Sequence, residues 1–297
     1  MKFFRFFFSS SVRLLAISAI TLSLSSCLVN EDDVPSIKNR TTNNFRILTG
    51  GEYYEYRVYG QITSNMGVTQ SFEGTLRVEY FSDTIRLPFS LTSVAALREE
   101  TTLNLGGSVY NLTRFLQQDT TPGSLTEGKL DVMAVRVGSA ATGTLYRTGE
   151  NTQLNNPHPI EILKSPVPDE NEPDAINISY QYMSNCESPN TSCTAAVQEI
   201  NNILIRYQGN ADVTTFNGRY NTLRIDYDGQ FLGPFSPSTP ALFDIRGACD
   251  DDTAMFFGST YVFPEVGVVF LENSCTAADS AGHHYTASLS STNVPIP

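Results

Sequence analysis

The chain has 297 residues, no tryptophan, and a formal net charge of −12 at pH 7, from 19 basic and 31 acidic side chains. A surface this acidic argues against nucleic acid as a partner and against adhesion to anionic lipid by charge alone. The length suffices for two ordinary domains or for one large β domain.

The first 26 residues have the composition of an export signal. Lys2, Arg5 and Arg13 make the start positive, and a mainly apolar run extends from residue 14 to residue 24. A helix that spans a bilayer needs roughly 20 apolar residues, so this run is too short to be a membrane anchor. Removal of the three basic residues with the signal takes the net charge to −15.

The run closes on Leu24-Ser25-Ser26-Cys27. These residues resemble the lipobox of bacterial lipoproteins, which implies cleavage after residue 26 and a lipidated Cys27 as the mature N-terminus. In that family Asp after the cysteine favours the inner membrane, so Leu28 implies the outer membrane, at its periplasmic face or the cell surface. Two or three acyl chains, such as palmitate, would make a durable anchor. An ordinary secretory signal that happens to contain a cysteine is the alternative.

Residues 27–44 are predicted to form a flexible tether. They are poor in hydrophobic side chains and rich in charged and amide side chains, a composition typical of disordered segments. At roughly 3.3 Å per residue, the tether would reach on the order of 50 Å.

A repeated strand pattern follows the tether. Residues 75–80, Thr-Leu-Arg-Val-Glu-Tyr, return as residues 222–227, Thr-Leu-Arg-Ile-Asp-Tyr, each preceded by Phe-x-Gly and followed by Pro-Phe-Ser. The alternation of apolar and polar side chains predicts half-buried antiparallel strands. We therefore predict an all-β chain of two tandem, duplicated antiparallel domains, each a curved sheet or half-barrel. Immunoglobulin-like sandwiches are the alternative fold, and convergent patterning in one β domain is the alternative to duplication.

The predicted boundary between the two domains is residues 166–174, which are rich in proline and acidic side chains. Proline cannot donate to a strand ladder, and like charges repel one another. The first β domain is accordingly residues 45–165 and the second is residues 175–297. Helical periodicity is scarce, and the best short helical candidates are Val94 to Glu100 and Thr194 to Ile200.

Residues 261–269, Tyr-Val-Phe-Pro-Glu-Val-Gly-Val-Val, resemble a motif of a loosely defined group of secreted bacterial β proteins. In that group Tyr-x-Ala-Pro-Gly-Val-Gly-Leu-Val closes a strand meander. Residues 45–54 correspond to the opening motif of the group, but they lack its proline and its tryptophan. The resemblance implies curved antiparallel sheets and export, with no established activity. Residues 264–267 are predicted to be a hairpin turn.

Four cysteines remain once Cys27 carries lipid, and all lie in the second predicted domain: Cys186, Cys193, Cys249 and Cys275. An even number in an exported protein predicts two disulfides. Of the three possible pairings we favour Cys186–Cys193 and Cys249–Cys275, because each closes a local loop. The C-x6-C and C-x25-C spacings do not fit the short knuckles of zinc sites.

Catalytic motifs are absent from the sequence, including Gly-x-Ser-x-Gly, His-Glu-x-x-His, the P-loop and the dinucleotide fingerprint. The chain has three histidines. His158 lies near the predicted domain boundary. His283 and His284 are expected to be a surface pair on opposite faces of a strand, so they would not chelate one ion together.

Two further groups of side chains are candidate binding sites. Asp250, Asp251 and Asp252 follow a cysteine directly, and we interpret them as a solvated acidic loop, with a calcium site as the alternative. The tyrosine stripe, Tyr53, Tyr54, Tyr56 and Tyr59, is expected to pack in the core and at a sheet edge rather than to form an exposed ligand platform.

The sequence thus favours a non-enzymatic lipoprotein of the bacterial envelope that binds a ligand or partner, or acts as a scaffold. Its expected contacts are the membrane, through lipid on Cys27, and either an envelope protein or an apolar ligand. No cofactor, metal or nucleic acid is expected. An envelope hydrolase with a loop-borne acid or metal site, and a surface adhesin, are the alternatives.

Overall fold

The structure is a computed structural model that describes residues 36–87, 92–105, 107–137, 144–150, 160–170, 172–183, 195–230, 255–276 and 281–297. Residues 37–297 form one compact unit. Strands, turns and bends account for the assigned structure of the described residues, and helices for none of it. Accordingly, no helix within these ranges is long and apolar enough to cross a membrane.

The sheet has 14 strands: β1 (Ile37–Lys38), β2 (Tyr53–Thr63), β3 (Thr69–Arg86), β4 (Ser93–Leu105), β5 (Ser108–Gln118), β6 (Leu130–Val137), β7 (Thr144–Glu150), β8 (Ile160–Leu163), β9 (Glu172–Met183), β10 (Ala195–Thr215), β11 (Gly218–Gln230), β12 (Met255–Phe263), β13 (Gly267–Thr276) and β14 (Gly282–Thr292). The predicted helical candidates 94–100 and 194–200 are wrong, because residues 94–100 lie in β4 and residues 195–200 in β10. Both segments are held by ladder hydrogen bonds to neighbouring strands, which override weak local preferences.

The strand pairings form a closed path. The order is β11-β10-β9-β7-β6-β5-β4-β3-β2-β14-β13-β12. Because β12 also pairs with β11, from Leu223↔Val262 to Gln230↔Met255, the path returns to its start. Strand β8 adds to β6, and β1 adds to β11 in parallel. Closure removes the free edges that an open sheet presents.

The all-β curved sheet is confirmed, but the two predicted β domains are not separate. Strand β2 of the first predicted domain pairs with β14 of the second, and β7 pairs with β9. The predicted boundary is also packed rather than loose. Val167 is fully buried, and Pro173 lies within β9, where it pairs in register with Arg206. Local alternation looks the same in one sheet or in two, so it could not reveal these long-range pairings.

The predicted strand faces are confirmed in both copies of the repeat. Leu76 and Leu223 are fully buried. On the other face, Arg77 contacts Glu79 at 2.8 Å and Arg224 contacts Asp226 at 2.7 Å. The predicted hairpin at residues 264–267 is also present, between β12 and β13.

The two copies of the repeat do not share one register. Leu76 lies opposite Tyr56, whereas its counterpart Leu223 lies opposite Asn210. The first Phe-x-Gly sits inside β3, while Phe216 of the second lies in the turn between β10 and β11. Duplication therefore stays a prediction.

The part of the predicted tether that the structure describes lies against the sheet. Arg40 Nη1 donates to Asn221 Oδ1 at 2.6 Å, and Thr41 Oγ1 donates to Glu265 at 2.8 Å. Phe45, just after the tether, is 5% exposed. Residues 27–35, including Cys27, lie outside the described residues. The tether prediction is corrected for residues 37–44, which are held against the sheet by the β1–β11 pairing and by side-chain hydrogen bonds.

Candidate ligand-binding cavity

A cavity of about 50 Å³ lies inside the ring of strands. Aromatic and aliphatic side chains from β2, β3, β6, β8, β11, β12 and β13 form most of its wall, and Phe45 and Leu48 of the N-terminal segment add to it. The polar part of the wall comes from Glu99, Thr101, Arg114 and Thr260. The site is therefore an apolar space with polar groups on one part of its wall.

A row of polar side chains crosses three strands beside this cavity. Tyr80 of β3 lies opposite Glu99 of β4, and Glu99 lies opposite Arg114 of β5. Arg114 donates to Glu99 Oε1 from Nε at 2.7 Å and from Nη2 at 2.5 Å. The Tyr80 hydroxyl donates to Glu99 Oε2 at 3.1 Å, and Thr101 Oγ1 donates to Glu99 Oε1 at 3.2 Å. The Glu99 carboxylate is thus bound through both oxygens.

The Glu99–Arg114 pair is shielded from solvent. The two side chains are 2% and 3% exposed. Burial of an unpaired charge costs several kcal/mol, so each ion needs the other in this position. Together they place a dipole, with no net charge, on the cavity wall.

One donor of this pair has no protein partner. Arg114 Nη1 is buried and makes no hydrogen bond among the described residues. A buried donor left in this state costs roughly 1–3 kcal/mol. Because Arg114 lines the cavity, Nη1 is the candidate donor for an oxygen acceptor held there.

The tyrosines around the cavity remain neutral. Burial raises the pKa of Tyr54 and Tyr227, and it raises the pKa of Tyr56 and Tyr80 further, with the Glu99 charge adding to the effect at both. Their hydroxyls serve structure: Tyr54 donates to the Val266 carbonyl at 2.6 Å and Tyr56 to the Val268 carbonyl at 2.8 Å. These bonds fix the start of β13 against β2.

The tyrosine stripe is mainly core, as predicted. Tyr54 and Tyr56 are 2% and 3% exposed, and Tyr53 is half-buried on the outer side. Tyr59 is 41% exposed on the outer face of β2.

The two adjacent histidines lie on opposite strand faces, but they are not a surface pair. His283 is 5% exposed, whereas His284 is exposed and its Nδ1 lies 2.6 Å from Ser274 Oγ. Burial, and then the charge of His284, lower the pKa of His283 to about 4. The prediction failed for His283 because it shares the inward register of Tyr285, which the sequence pattern places in the core.

The remaining predicted site residues fall largely outside the described residues: Cys27, His158, Cys186, Cys193, Cys249, Asp250, Asp251 and Asp252. Cys275 is described, 4% exposed and disulfide-bonded. Its partner lies outside the described residues, so both favoured pairings stay predictions. In the described part of the chain, no three His, Cys, Asp or Glu side chains lie together as a metal site would require.

Sequence reasoning missed Glu99 and Arg114, although a signal for them exists. Glu99 interrupts an apolar register on β4 that includes Leu97 and Leu103, and Arg114 interrupts a similar register on β5. A charged residue at an inward position of an alternating strand predicts either a buried pair or a functional site. The partner of each charge could not be read from the sequence, because it depends on strand register.

Solved structures with similarity to this chain come from Bacteroidetes. One, described as an exported protein with a YmcC-like fold from Bacteroides fragilis, gives a TM-score of 0.35 at 12% identity, over 84% of this chain and 99% of that chain. Another, described as a lipoprotein from Parabacteroides distasonis, gives a TM-score of 0.33 at 12% identity, over 86% of this chain and all of that chain. No protein-family model matches the chain, and no curated protein matches it.

Proposed function

We propose that this protein is a lipoprotein of the bacterial envelope that binds a small, uncharged, mainly apolar ligand in its internal cavity, without catalysis. The observation that carries this proposal is the buried Arg114 Nη1, which has no protein acceptor at the wall of an otherwise apolar space. The outer membrane is the proposed location, through lipid on Cys27.

The volume of the cavity limits the size of the ligand. Sites for drug-sized molecules measure about 300–1,000 Å³, whereas this cavity measures about 50 Å³. On the same measure, one water molecule needs roughly 10–15 Å³, so the cavity suits a molecule of about four non-hydrogen atoms. A short aliphatic amide or ketone offers an apolar body and one acceptor oxygen for Arg114.

The charges on the cavity wall also limit the charge of the ligand. The Arg114 guanidinium already neutralises the Glu99 carboxylate, at 2.5 Å. An anionic ligand would therefore bring an uncompensated charge into a buried site, which costs several kcal/mol. A neutral acceptor gains the hydrogen bond without this penalty.

Two observations support export and anchoring. Residues 24–27 have the lipobox pattern, and the apolar run before them is too short to span a bilayer. Cys275 is disulfide-bonded, which is typical of proteins that work in an oxidising compartment. No observation on the described residues favours the hydrolase or the adhesin alternative.

Ligand binding is tested by thermal unfolding of the mature protein in acetamide and in acetate, which share one carbon skeleton and are small enough for the cavity. The amide should raise the unfolding temperature in a saturable manner, because a ligand that binds only the folded state stabilises it. The carboxylate should not. The Arg114→Lys variant should lose the amide effect, since lysine keeps the charge but lacks the second planar donor.

The matched control is Arg98→Lys on the neighbouring strand, β4. Arg98 points to the outer face, where it contacts Asp83 at 2.7 Å, so this variant should keep the amide effect. Equal stabilisation by amide and carboxylate, or an amide effect that survives in Arg114→Lys, would refute the proposed ligand chemistry. Anchoring is tested separately, by the mass of the N-terminal peptide and by loss of membrane association in Cys27→Ala.

A further inference from the structure

Two aromatic side chains lie exposed and in contact on the outside of the sheet. Phe216, in the turn between β10 and β11, is 53% exposed, and Tyr59 on β2 is 41% exposed. Their ring centroids are 6.2 Å apart, and the Arg57 guanidinium lies 4.7 Å from the Phe216 ring centroid. We call Arg57, Tyr59 and Phe216 the aromatic patch. Large apolar side chains grouped with a cation at the surface are typical of interaction sites.

The patch lies beside the place where the chain enters the sheet. Ile37 of β1 pairs with Arg219, and Lys38 pairs with Tyr220. Arg219 is three residues from Phe216, which corresponds to roughly 10 Å along a strand. The N-terminal segment therefore reaches the sheet next to the aromatic patch.

The lipid on Cys27 cannot be far from this entry point. Ten residues separate Cys27 from Ile37. A fully extended chain spans at most about 3.3–3.6 Å per residue, so the reach is at most about 35 Å. The length of the chain thus keeps the surface around Ile37 within reach of the anchoring membrane.

The side chains around the entry point suit the interfacial layer of a bilayer. Lys38, Arg57 and Arg219 are cations in a mature chain of net charge −15. Basic side chains are attracted to anionic lipid, and aromatic rings favour the headgroup level. Tyr59 adds a ring with a polar tip, which fits the boundary between apolar and aqueous layers.

We propose that the aromatic patch inserts into the interfacial layer of the membrane that holds Cys27. This contact is a second attachment that fixes the orientation of the sheet on the bilayer, with the β10–β11 turn facing the lipid. The inference rests on the anchoring part of the proposed function. It does not depend on the ligand of the cavity.

The test uses tryptophan as a depth probe, because the natural chain has none. The full mature lipoprotein, as Phe216→Trp or as Phe257→Trp, is reconstituted into vesicles of phosphatidylethanolamine and phosphatidylglycerol, with and without brominated acyl chains. Phe257 is the matched control: it is 48% exposed and pairs with Asp228, roughly 33 Å along β11 from Gly218.

Brominated lipid should lower the emission of the Phe216→Trp protein, as expected for a side chain at the headgroup boundary, and leave the emission of the Phe257→Trp protein unchanged. Arg57→Glu in the Phe216→Trp background should reduce this quenching, and the protein should still float with the vesicles. Vesicle-bound protein with no quenching at position 216, or with equal quenching at positions 216 and 257, would overturn the proposed insertion of the aromatic patch. The proposed lipid anchor would still stand. Protein that does not float and carries no lipid would instead refute the anchor.

Discussion

Glu99 and Arg114 occupy inward positions that apolar side chains hold elsewhere on β4 and β5. The pair is nearly inaccessible to solvent, at 2% and 3% exposure, and Tyr80 and Thr101 complete the hydrogen bonds of the carboxylate. Such a pair is a weak source of stability, because desolvation offsets most of the attraction. Its retention in an apolar wall is consistent with a binding role.

Removal of one member of the pair should be costly. Arg114→Leu should lower the free energy of unfolding by about 3–5 kcal/mol, because it leaves the buried Glu99 carboxylate without its ion pair. The double variant Glu99→Leu/Arg114→Met should recover most of that loss. Urea titration followed by circular dichroism measures both. As the control, Arg206→Leu breaks a pair with Asp228 whose side chains are 37% and 31% exposed, and should cost at most about 1 kcal/mol. Equal losses in Arg114→Leu and Arg206→Leu would contradict the buried character of the pair.

His283 should make the stability of the fold sensitive to acid. Burial lowers the pKa of His283 to about 4, whereas a histidine in an unfolded chain titrates near 6.5. Between these values the unfolded chain binds a proton that the folded chain does not, so stability falls as the pH drops from about 6.5 to about 4. The loss attributable to His283 should approach about 3 kcal/mol and then level off.

The measurement is the urea midpoint at several pH values for the natural chain and for His283→Phe, which should flatten this part of the profile. His284→Gln should keep most of the slope, because burial is the larger cause of the lowered pKa. An unchanged slope in His283→Phe would show that other groups produce it.

At the scale of elements, the segment before β2 is part of the fold. The Val167 amide donates to the Asn43 carbonyl at 2.8 Å, and the Leu48 amide donates to Gln118 Oε1 at 2.8 Å. Gly128, with φ of +90°, allows a close approach: a Cβ there would lie 2.0 Å from the Phe45 carbonyl oxygen. The segment thus joins the sheet to the turns that precede β6 and β9.

Phe45 should report on this packing. Phe45→Ala should lower the free energy of unfolding by about 3–5 kcal/mol, because the ring is 5% exposed and its loss leaves a cavity. Phe216→Ala makes the same chemical change at a site 53% exposed, and should shift stability by about 0.5 kcal/mol at most. Denaturant unfolding compares the two. A small effect of Phe45→Ala would mean that residues 36–48 detach without disturbing the sheet.

At the scale of the whole molecule, residues 37–297 are tied into one unit by pairings between distant parts of the chain. Strand β14 pairs with β2 from Gly282↔Thr63 to Thr292↔Tyr54. Strand β12 pairs with β11, which closes the ring. Neither half of the chain can satisfy the backbone of its outer strands without the other half.

The ring should unfold in one cooperative step. Thermal unfolding followed by tyrosine fluorescence and by far-ultraviolet circular dichroism should give coincident transitions. Residues 45–165 and residues 175–297, expressed separately, should aggregate or remain unfolded, because each exposes unpaired strand edges. The intact mature chain under the same conditions is the control. Two resolved transitions, or two soluble folded halves, would restore the two-domain interpretation.

The sequence by itself determined the strands and their faces. Alternation at residues 75–80 and 222–227 placed Leu76 and Leu223 inside and Arg77 and Arg224 outside, because successive side chains of a strand point to opposite faces. The residues Pro-Glu-Val-Gly between two apolar runs predicted the turn at residues 264–267. These features depend on a few neighbouring residues, so local patterns are sufficient for them.

Only the tertiary structure decided which strands pair and which charges meet. The pairing of β2 with β14 joins residues more than 200 positions apart, and register at each pairing depends on the whole set of buried side chains. Alternation on β4 and β5 shows that Glu99 and Arg114 point inward, but only the β4–β5 register places them opposite each other. The cavity, its open donor at Arg114 and the position of the aromatic patch follow from these long-range pairings, which no local pattern contains.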